Sequence, residues 1–153
     1  MALNTIICAT KGSKESQVAE DRAIKLAKEN KSRLIFLYII DMELLEKGGD
    51  VTATDVEDLE SGMQNIGRVI LDSAVEKAVE SGLDAQNVLR QEGKGNFLEE
   101  IKKQVELHNA DLVVLGRSLA NKGFVERLLH SKDRPDVFEK KIREAIRCQV
   151  EIV

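Results

Sequence analysis

Short apolar runs alternate along this chain with longer segments in which apolar residues recur at helical spacing. Three of the short runs are unbroken, which is typical of strands that are buried on both faces, as in the middle of a parallel sheet. Two other short segments alternate apolar and polar residues and therefore predict less covered strands. The predicted strands are residues 5–9, 33–41 and 111–115 (unbroken) and residues 87–92 and 149–153 (alternating).

Between these strands, apolar residues recur at three- and four-residue steps, which predicts four amphipathic helices. The first is capped by Ser13 or Ser16 and runs to Asn30, and the second spans about 55–81 and stops at Gly82. The third begins after Asn96, and the last covers about 136–146. The stripes expected to face the core are Val18, Ala19, Ala23, Leu26 and Ala27, then Val56, Leu59, Met63, Ile66, Ile70, Ala74 and Ala78, then Phe97, Ile101 and Val105.

Strands separated by helix-sized crossovers predict an α/β fold, a five-stranded parallel sheet with helices on both faces. The length of 153 residues suits one domain, 1–153. A composition of 42% apolar and 33% charged residues with one proline is that of a globular protein rather than a disordered one.

Charge and hydropathy argue against several partner classes. The net charge of -4 gives no electrostatic reason to bind nucleic acid or an anionic membrane. No apolar run approaches the length of about 18 residues that a membrane span needs. The start of the chain, residues 1–4, lacks the basic and apolar regions of a signal peptide, so we expect a cytoplasmic protein.

Catalytic and metal chemistry find little support in the residue pattern. Cys8 and Cys148 stand alone, and we interpret them as buried thiols rather than a disulfide or a zinc site. No His/Cys/Asp/Glu spacing suggests a metal, and no nucleophile triad is visible. The acidic residues between Asp50 and Glu60 lack the spacing of a calcium loop and fit a solvated loop and helix start. We expect no catalytic residues and no metal.

The segment 110–118 points to a binding site. Its apolar run stops at Gly116, where the backbone can turn or approach another group closely, and opens into a basic loop that begins with Arg117. Ligands of open α/β sheets bind at the carboxyl ends of the strands.

The loop after Gly116 has two interpretations. The basic residues Arg117, Lys122, Arg127, His130, Lys132 and Arg134 lie in it, and Lys11 follows the first strand. The simplest interpretation is a long solvated loop. The alternative is that these side chains hold phosphate, since Arg and Lys can do so without a glycine-rich cradle.

Along most of its length the chain resembles the universal stress protein family. No single motif carries the resemblance, but the order and spacing of four stretches do. They are residues 6–13, residues 34–41, residues 92–101 followed by 110–116, and residues 142–153, in which a cysteine precedes the final valines.

The resemblance implies the adenine nucleotide alpha hydrolase-like fold of this family, with strand order 3-2-1-4-5 and a crevice between the first and fourth strands. It also implies a homodimer joined through the C-terminal strand. Val150 and Ile152 lie on this strand, and an exposed sheet edge is commonly covered by pairing. Glu151 is expected to point away from the partner.

The chain departs from the glycine signature that ATP-binding members carry after the fourth strand. That signature is Gly, two residues, Gly, nine residues, then Gly-Ser or Gly-Thr. Gly116 fills its first position, Leu119 takes the second, and His130-Ser131 takes the last pair with one extra residue between. Counting back from the last helix gives Asp136-Val137 instead. The first-strand acid that touches the nucleoside in ATP-binding members is Lys11 here. The phosphate cradle of the family is therefore degraded.

Three functions remain open. We favour a stress-response binding or signalling module without a tightly bound nucleotide and without enzymatic turnover. The alternatives are a nucleotide binder (ATP, AMP or a similar anion) that uses the modified basic loop, and a slow nucleotide hydrolase. If an anionic ligand binds, the expected neighbours are Thr10, Lys11, Ile39, Gly116, Arg117 and Ser131.

Overall fold

A computed structural model describes residues 3–42, 53–117 and 135–153. The strands in these ranges are β1 (Thr5–Ala9), β2 (Arg33–Asp41), β3 (Val88–Gly95), β4 (Leu112–Leu115) and β5 (Gln149–Ile152). The α-helices are α1 (Lys14–Asn30), α2 (Ala53–Glu80), α3 (Phe97–His108) and α4 (Pro135–Ala145), and a short 3-10 helix (Ala85–Asn87) leads into β3.

The five strands form one parallel sheet in the order β3-β2-β1-β4-β5. The predicted fold class and strand order are therefore confirmed. The central strand β1 pairs with both neighbours in register, so that Ala9 lies level with Leu37 of β2 and with Leu115 of β4. The two strands with alternating patterns, β3 and β5, are the edges of this sheet, where less covering is expected.

Each face of the sheet is covered by two helices. Helices α1 and α2 pack on one face, which we call face A, around Cys8, Phe36 and Val114. Helices α3 and α4 pack on the opposite face B, around Ile7, Leu37 and Val113. The inner strands are buried on both faces, which explains their unbroken apolar sequence.

The predicted helix ends are confirmed by their capping groups. The hydroxyl of Ser13 accepts a hydrogen bond from the backbone N–H of Ser16 at 3.1 Å, and the Asn96 side chain accepts one from the N–H of Glu99 at 3.1 Å. Gly82 follows α2 with a φ of 109°, a conformation that favours glycine.

The predicted core stripes are wrong at three of the positions whose side chains the structure describes, and Val56 lies outside that set. Val18, Leu59 and Ile66 are 52%, 48% and 57% exposed. In α2 the predicted Ala74 and Ala78 are buried against the sheet, and they are joined by Leu71, which was not predicted. The reason is that Gly67, rather than an apolar side chain, receives the ring of Tyr38 against the helix, which turns Ile66 outward. The third strand also continues past the predicted residue 92 to Gly95.

Candidate functional site

The carboxyl ends of β1 and β4 lie side by side at the point where the chain connections diverge. The connection after β1 runs to α1 on face A, whereas α4, which follows β4 in the described chain, lies on face B. Open α/β sheets bind ligands at such a switch point. The pairing of β1 with β4 ends with Ala9 beside Leu115, so Thr10 and Gly116 come directly after the paired residues, and Lys11 and Arg117 come one residue later. Four of the six predicted site residues therefore lie in the segments that follow these two strand ends.

The Thr10 side chain is committed to a buried polar network. Thr10 is 2% exposed, and its hydroxyl donates a hydrogen bond to Glu20 of α1 at 2.5 Å. Glu20 is 4% exposed, and its other carboxylate oxygen lies 2.9 Å from the Lys77 ammonium of α2. Lys77 also contacts Asp21 at 3.0 Å. This network joins the end of β1 to both helices of face A.

The charges of this network affect the neighbouring titratable groups. Burial opposes the charge on Lys77, but its hydrogen bonds to Glu20 and Asp21 outweigh that effect and raise the Lys77 pKa. Burial, together with the nearby Glu20 carboxylate, raises the pKa of the Cys8 thiol far above its ordinary value. Cys8 is therefore a protonated, buried thiol, as predicted, and does not supply a nucleophilic thiolate.

The loop between β1 and α1 is bonded mainly to itself. The backbone N–H groups of Lys11 and Gly12 donate to the hydroxyls of Ser16 and Thr10, each at 3.3 Å. These bonds are at the long end of the ordinary range. Gly12 has a φ of 81°, and a side chain there would meet Ile70 of α2. An anion at this edge would compete with Ser16 and Thr10 for these two amides.

Gly116 fits closely against α1. A Cβ atom built on Gly116 would lie 2.7 Å from the carbonyl oxygen of Glu15 and 3.0 Å from the nitrogen of Ser16. The close approach predicted from this glycine therefore exists, but the group that approaches is the first turn of α1. On face A, the edge beside β4 is filled by backbone.

The other predicted site residues occupy different surroundings. Ile39 is half-buried and packs against the face B core near the carboxyl end of β2. Arg117 is exposed, and its backbone N–H donates to the carbonyl of Val153 at 3.1 Å, which continues the pairing of β4 with β5. Ser131 and most of the basic loop, 118–134, lie outside the described residues, as do Leu119 and His130.

Sequence reasoning did not identify Glu20 as part of this edge. Its charge suggested a solvent-facing position on α1. The available signal was its spacing, because Glu20 shares the inward stripe of Ser16, Ala23 and Ala27. An acid within an otherwise small and apolar stripe predicts a buried carboxylate that needs partners.

The remaining candidates do not assemble a second reactive site in the described ranges. No group of three or more His, Cys, Asp or Glu side chains there could hold a metal ion. Glu60 of the acidic segment binds the Lys94 ammonium at 2.8 Å. His108 lies in the last turn of α3, where burial and the charge of Arg33 lower its pKa, and its Nε2 has no hydrogen-bond partner. Across the same ranges, no helix has the length and apolar character to span a membrane.

Comparison with known proteins places the chain in a family. The family model of the universal stress protein family matches residues 3–132. The chain belongs to this family. A comparison with curated protein sequences gave no match.

Solved structures of universal stress proteins share the fold at low sequence identity. A universal stress protein family member from Burkholderia pseudomallei is 23% identical with a TM-score of 0.72, and 99% of this chain covers 96% of that one. The universal stress protein UspA from Lactobacillus plantarum is 16% identical with a TM-score of 0.75 and coverages of 100% and 99%. A universal stress protein in complex with cAMP is 20% identical with a TM-score of 0.66 and coverages of 100% and 98%.

A plant relative was solved with a nucleotide bound. The universal stress protein family protein from Arabidopsis thaliana with AMP bound is 14% identical, with a TM-score of 0.62, and 98% of this chain covers 90% of that one. At these identities the likeness establishes the fold.

Proposed function

We propose that this universal stress protein is a stress-response binding or signalling module that does not hold ATP tightly and acts by association rather than by turnover. The observation that supports this most is the state of the β1/β4 edge. The Thr10 hydroxyl is committed to the buried carboxylate of Glu20, and the approach to Gly116 is filled by the first turn of α1. A phosphate would have to displace both from face A.

The sequence departures add to this argument. Leu119 and His130 replace two glycines of the signature, and Lys11 replaces the acid that touches the nucleoside. Each polar ligand group left without a partner costs about 1–3 kcal/mol. Two or three such losses are enough to turn micromolar binding into millimolar binding, a difference of about 4 kcal/mol.

We further propose a cytoplasmic homodimer whose subunits pair through β5, with no nucleic-acid or membrane partner. The outer side of β5 supports the pairing, because among the described strands β5 is the outermost and pairs with β4 on one side. Glu151 is bound to Arg22 of α1 at 3.1 Å, and so points to face A rather than along the edge.

The experiment that tests the proposal is mass spectrometry of small molecules released by denaturing the purified protein. We expect no stoichiometric nucleotide. A nucleotide released at close to one per chain contradicts the proposal. A parallel measurement of ATP consumption, with a Lys25→Ala variant as a surface control, tests the absence of turnover. ATP hydrolysis that exceeds the rate in buffer alone and remains after further purification of the protein also contradicts the proposal.

A second candidate is a nucleotide-binding stress protein with a modified site. The observation that favours it is that structural neighbours were solved with cAMP and with AMP. In this protein the ligand is expected at the β1/β4 edge. Lys11 and Arg117 would supply charge there, Gly12 a backbone N–H, and Ile39 a packing surface. The slow hydrolase is not proposed, because no observation favours it.

Charge-matched double variants test this second candidate. The double substitution Lys11→Ala with Arg117→Ala should weaken binding of AMP about tenfold or more, because a charge-assisted hydrogen bond contributes on the order of 1.5–3 kcal/mol. The control is Lys25→Ala with Arg147→Ala, which removes the same charge from exposed positions elsewhere. Equal affinity of the two double variants would place the ligand away from this edge.

A further inference from the structure

The open edge of β5 is partly masked by a side chain of α4. The Arg143 guanidinium donates a hydrogen bond to the backbone carbonyl of Val150 at 2.6 Å. The same guanidinium contacts Glu139, one helical turn earlier, at 3.1 Å. A charged donor 2.6 Å from a carbonyl oxygen makes a strong hydrogen bond. Glu139 and Arg143 thus form a short chain of contacts that ends on the edge strand.

The strand register shows that the masked carbonyl faces outward. The N–H of Val153 donates to Leu115, and its carbonyl accepts from Arg117, so the backbone groups of Val153 point inward to β4. Because successive residues of a strand direct these groups to opposite sides, Val150 and Ile152 present theirs to the open edge. These two residues carry the groups that any added strand would use.

A second copy of this chain can pair with that edge in an antiparallel arrangement centred on Glu151. In this arrangement Val150 lies opposite the partner's Ile152, and the two exchange both backbone hydrogen bonds. The two-fold axis doubles the set to four bonds. Two of the four accept at the Val150 carbonyls that Arg143 covers.

We propose that Arg143 masks the β5 edge and so limits the affinity of this chain for a second copy. The proposal rests on the β5 homodimer proposed above and adds the residue that controls it. Natural sheets protect open edges with charged side chains that lie across them. Here the protecting charge is held by Glu139 and takes the acceptor that the paired strand needs.

Sedimentation equilibrium of the full chain tests the proposal with three variants. Arg143→Ala should lower the dimer dissociation constant about tenfold relative to the native chain, because two hydrogen bonds no longer compete with Arg143. Glu139→Gln should lower it by less. Lys140→Ala is the control, since it removes a charge from the exposed side of the same helix, and should leave the constant within about twofold.

Amide hydrogen exchange separates failure of the mask from failure of the dimer. In the Arg143→Ala dimer, the N–H groups of Val150 and Ile152 should be protected, and protection should fall on dilution. If these N–H groups are protected but the native chain and Arg143→Ala have equal dimer dissociation constants, the role of Arg143 is overturned and the β5 dimer is supported. A dimer without that protection, or no dimer in either protein, would overturn both.

A proline at the edge gives an independent check. Ile152→Pro removes an N–H that faces the open edge, a position where edge strands tolerate proline. Added to Arg143→Ala, it should return the dissociation constant to the native value or above. A double variant that dimerises as tightly as Arg143→Ala alone would contradict the pairing centred on Glu151.

Discussion

Gly116 offers the sharpest test of how the β1/β4 edge is built. Substituting alanine adds a methyl group 2.7 Å from the Glu15 carbonyl oxygen and 2.8 Å from its carbon, where ordinary contact begins near 3.4 Å. Both atoms belong to the backbone of α1, so relief requires a displacement of about 0.7 Å in a well-packed region. We expect Gly116→Ala to lower the free energy of unfolding by about 1–3 kcal/mol, after any small gain from reduced freedom of the unfolded chain.

Urea unfolding followed by circular dichroism measures this change. The matched control is Gly62→Ala on α2, where a methyl group meets nothing within 4 Å. That variant should stabilise the protein by up to about 1 kcal/mol through helix propensity. If Gly116→Ala unfolds at the same urea concentration as the native chain, with an unchanged slope, α1 does not pack on Gly116 as described. Face A of the β1/β4 edge would then not be filled by the first turn of α1.

Three further predictions concern the face A network and its helix packing. Glu20→Ala should lower the free energy of unfolding by about 2 kcal/mol, because it leaves Thr10 and Lys77 without their shared partner. The control Asp21→Ala, at an exposed position, should cost under about 1 kcal/mol, and equal costs of the two variants in urea unfolding would refute the role of Glu20 as a buried partner. The folded-state pKa of Lys77 is raised above 10.5, so its contribution to the free energy of unfolding should be complete below pH 10.5 and be lost as the pH rises above it. In a pH series of unfolding measurements, a Lys77→Met variant that loses stability at alkaline pH as steeply as the native chain would contradict this. Gly67→Ala should lower the melting temperature clearly, since its methyl group would lie 2.4 Å from the Tyr38 ring, and a melting temperature at or above the native one would exclude that contact.

The architecture was predictable because the inner strands leave a strong mark in the sequence. Burial on both faces requires apolar residues at every position, and the runs 34–40 and 112–115 satisfy this without interruption. The caps were predictable for a similar reason, since Ser13 and Asn96 act within a few residues of their own position. Strand order came from the family resemblance, because periodicity alone does not say which strands are neighbours.

The details of the edge were less predictable, because they depend on contacts between distant residues. Gly116 predicts a close approach, but the approaching group is the backbone of Glu15, about a hundred residues earlier in the chain. The exposed position of Ile66 likewise follows from the ring of Tyr38 on Gly67, and a helical stripe cannot reveal that contact. Arg143 was one charge among many in the sequence, and its role depends on where β5 ends the sheet.

Isothermal titration calorimetry with ATP measures whether the β1/β4 edge of this protein binds a nucleotide. The protein is first unfolded, freed of small molecules, refolded and checked for native circular dichroism. We expect no saturable heat up to ATP concentrations of about 1 mM, because the lost phosphate contacts raise the dissociation constant for ATP to about the millimolar range. A micromolar dissociation constant with one site per chain would contradict it, and would show that the edge accepts phosphate despite the Glu20 network and the packing of α1 on Gly116.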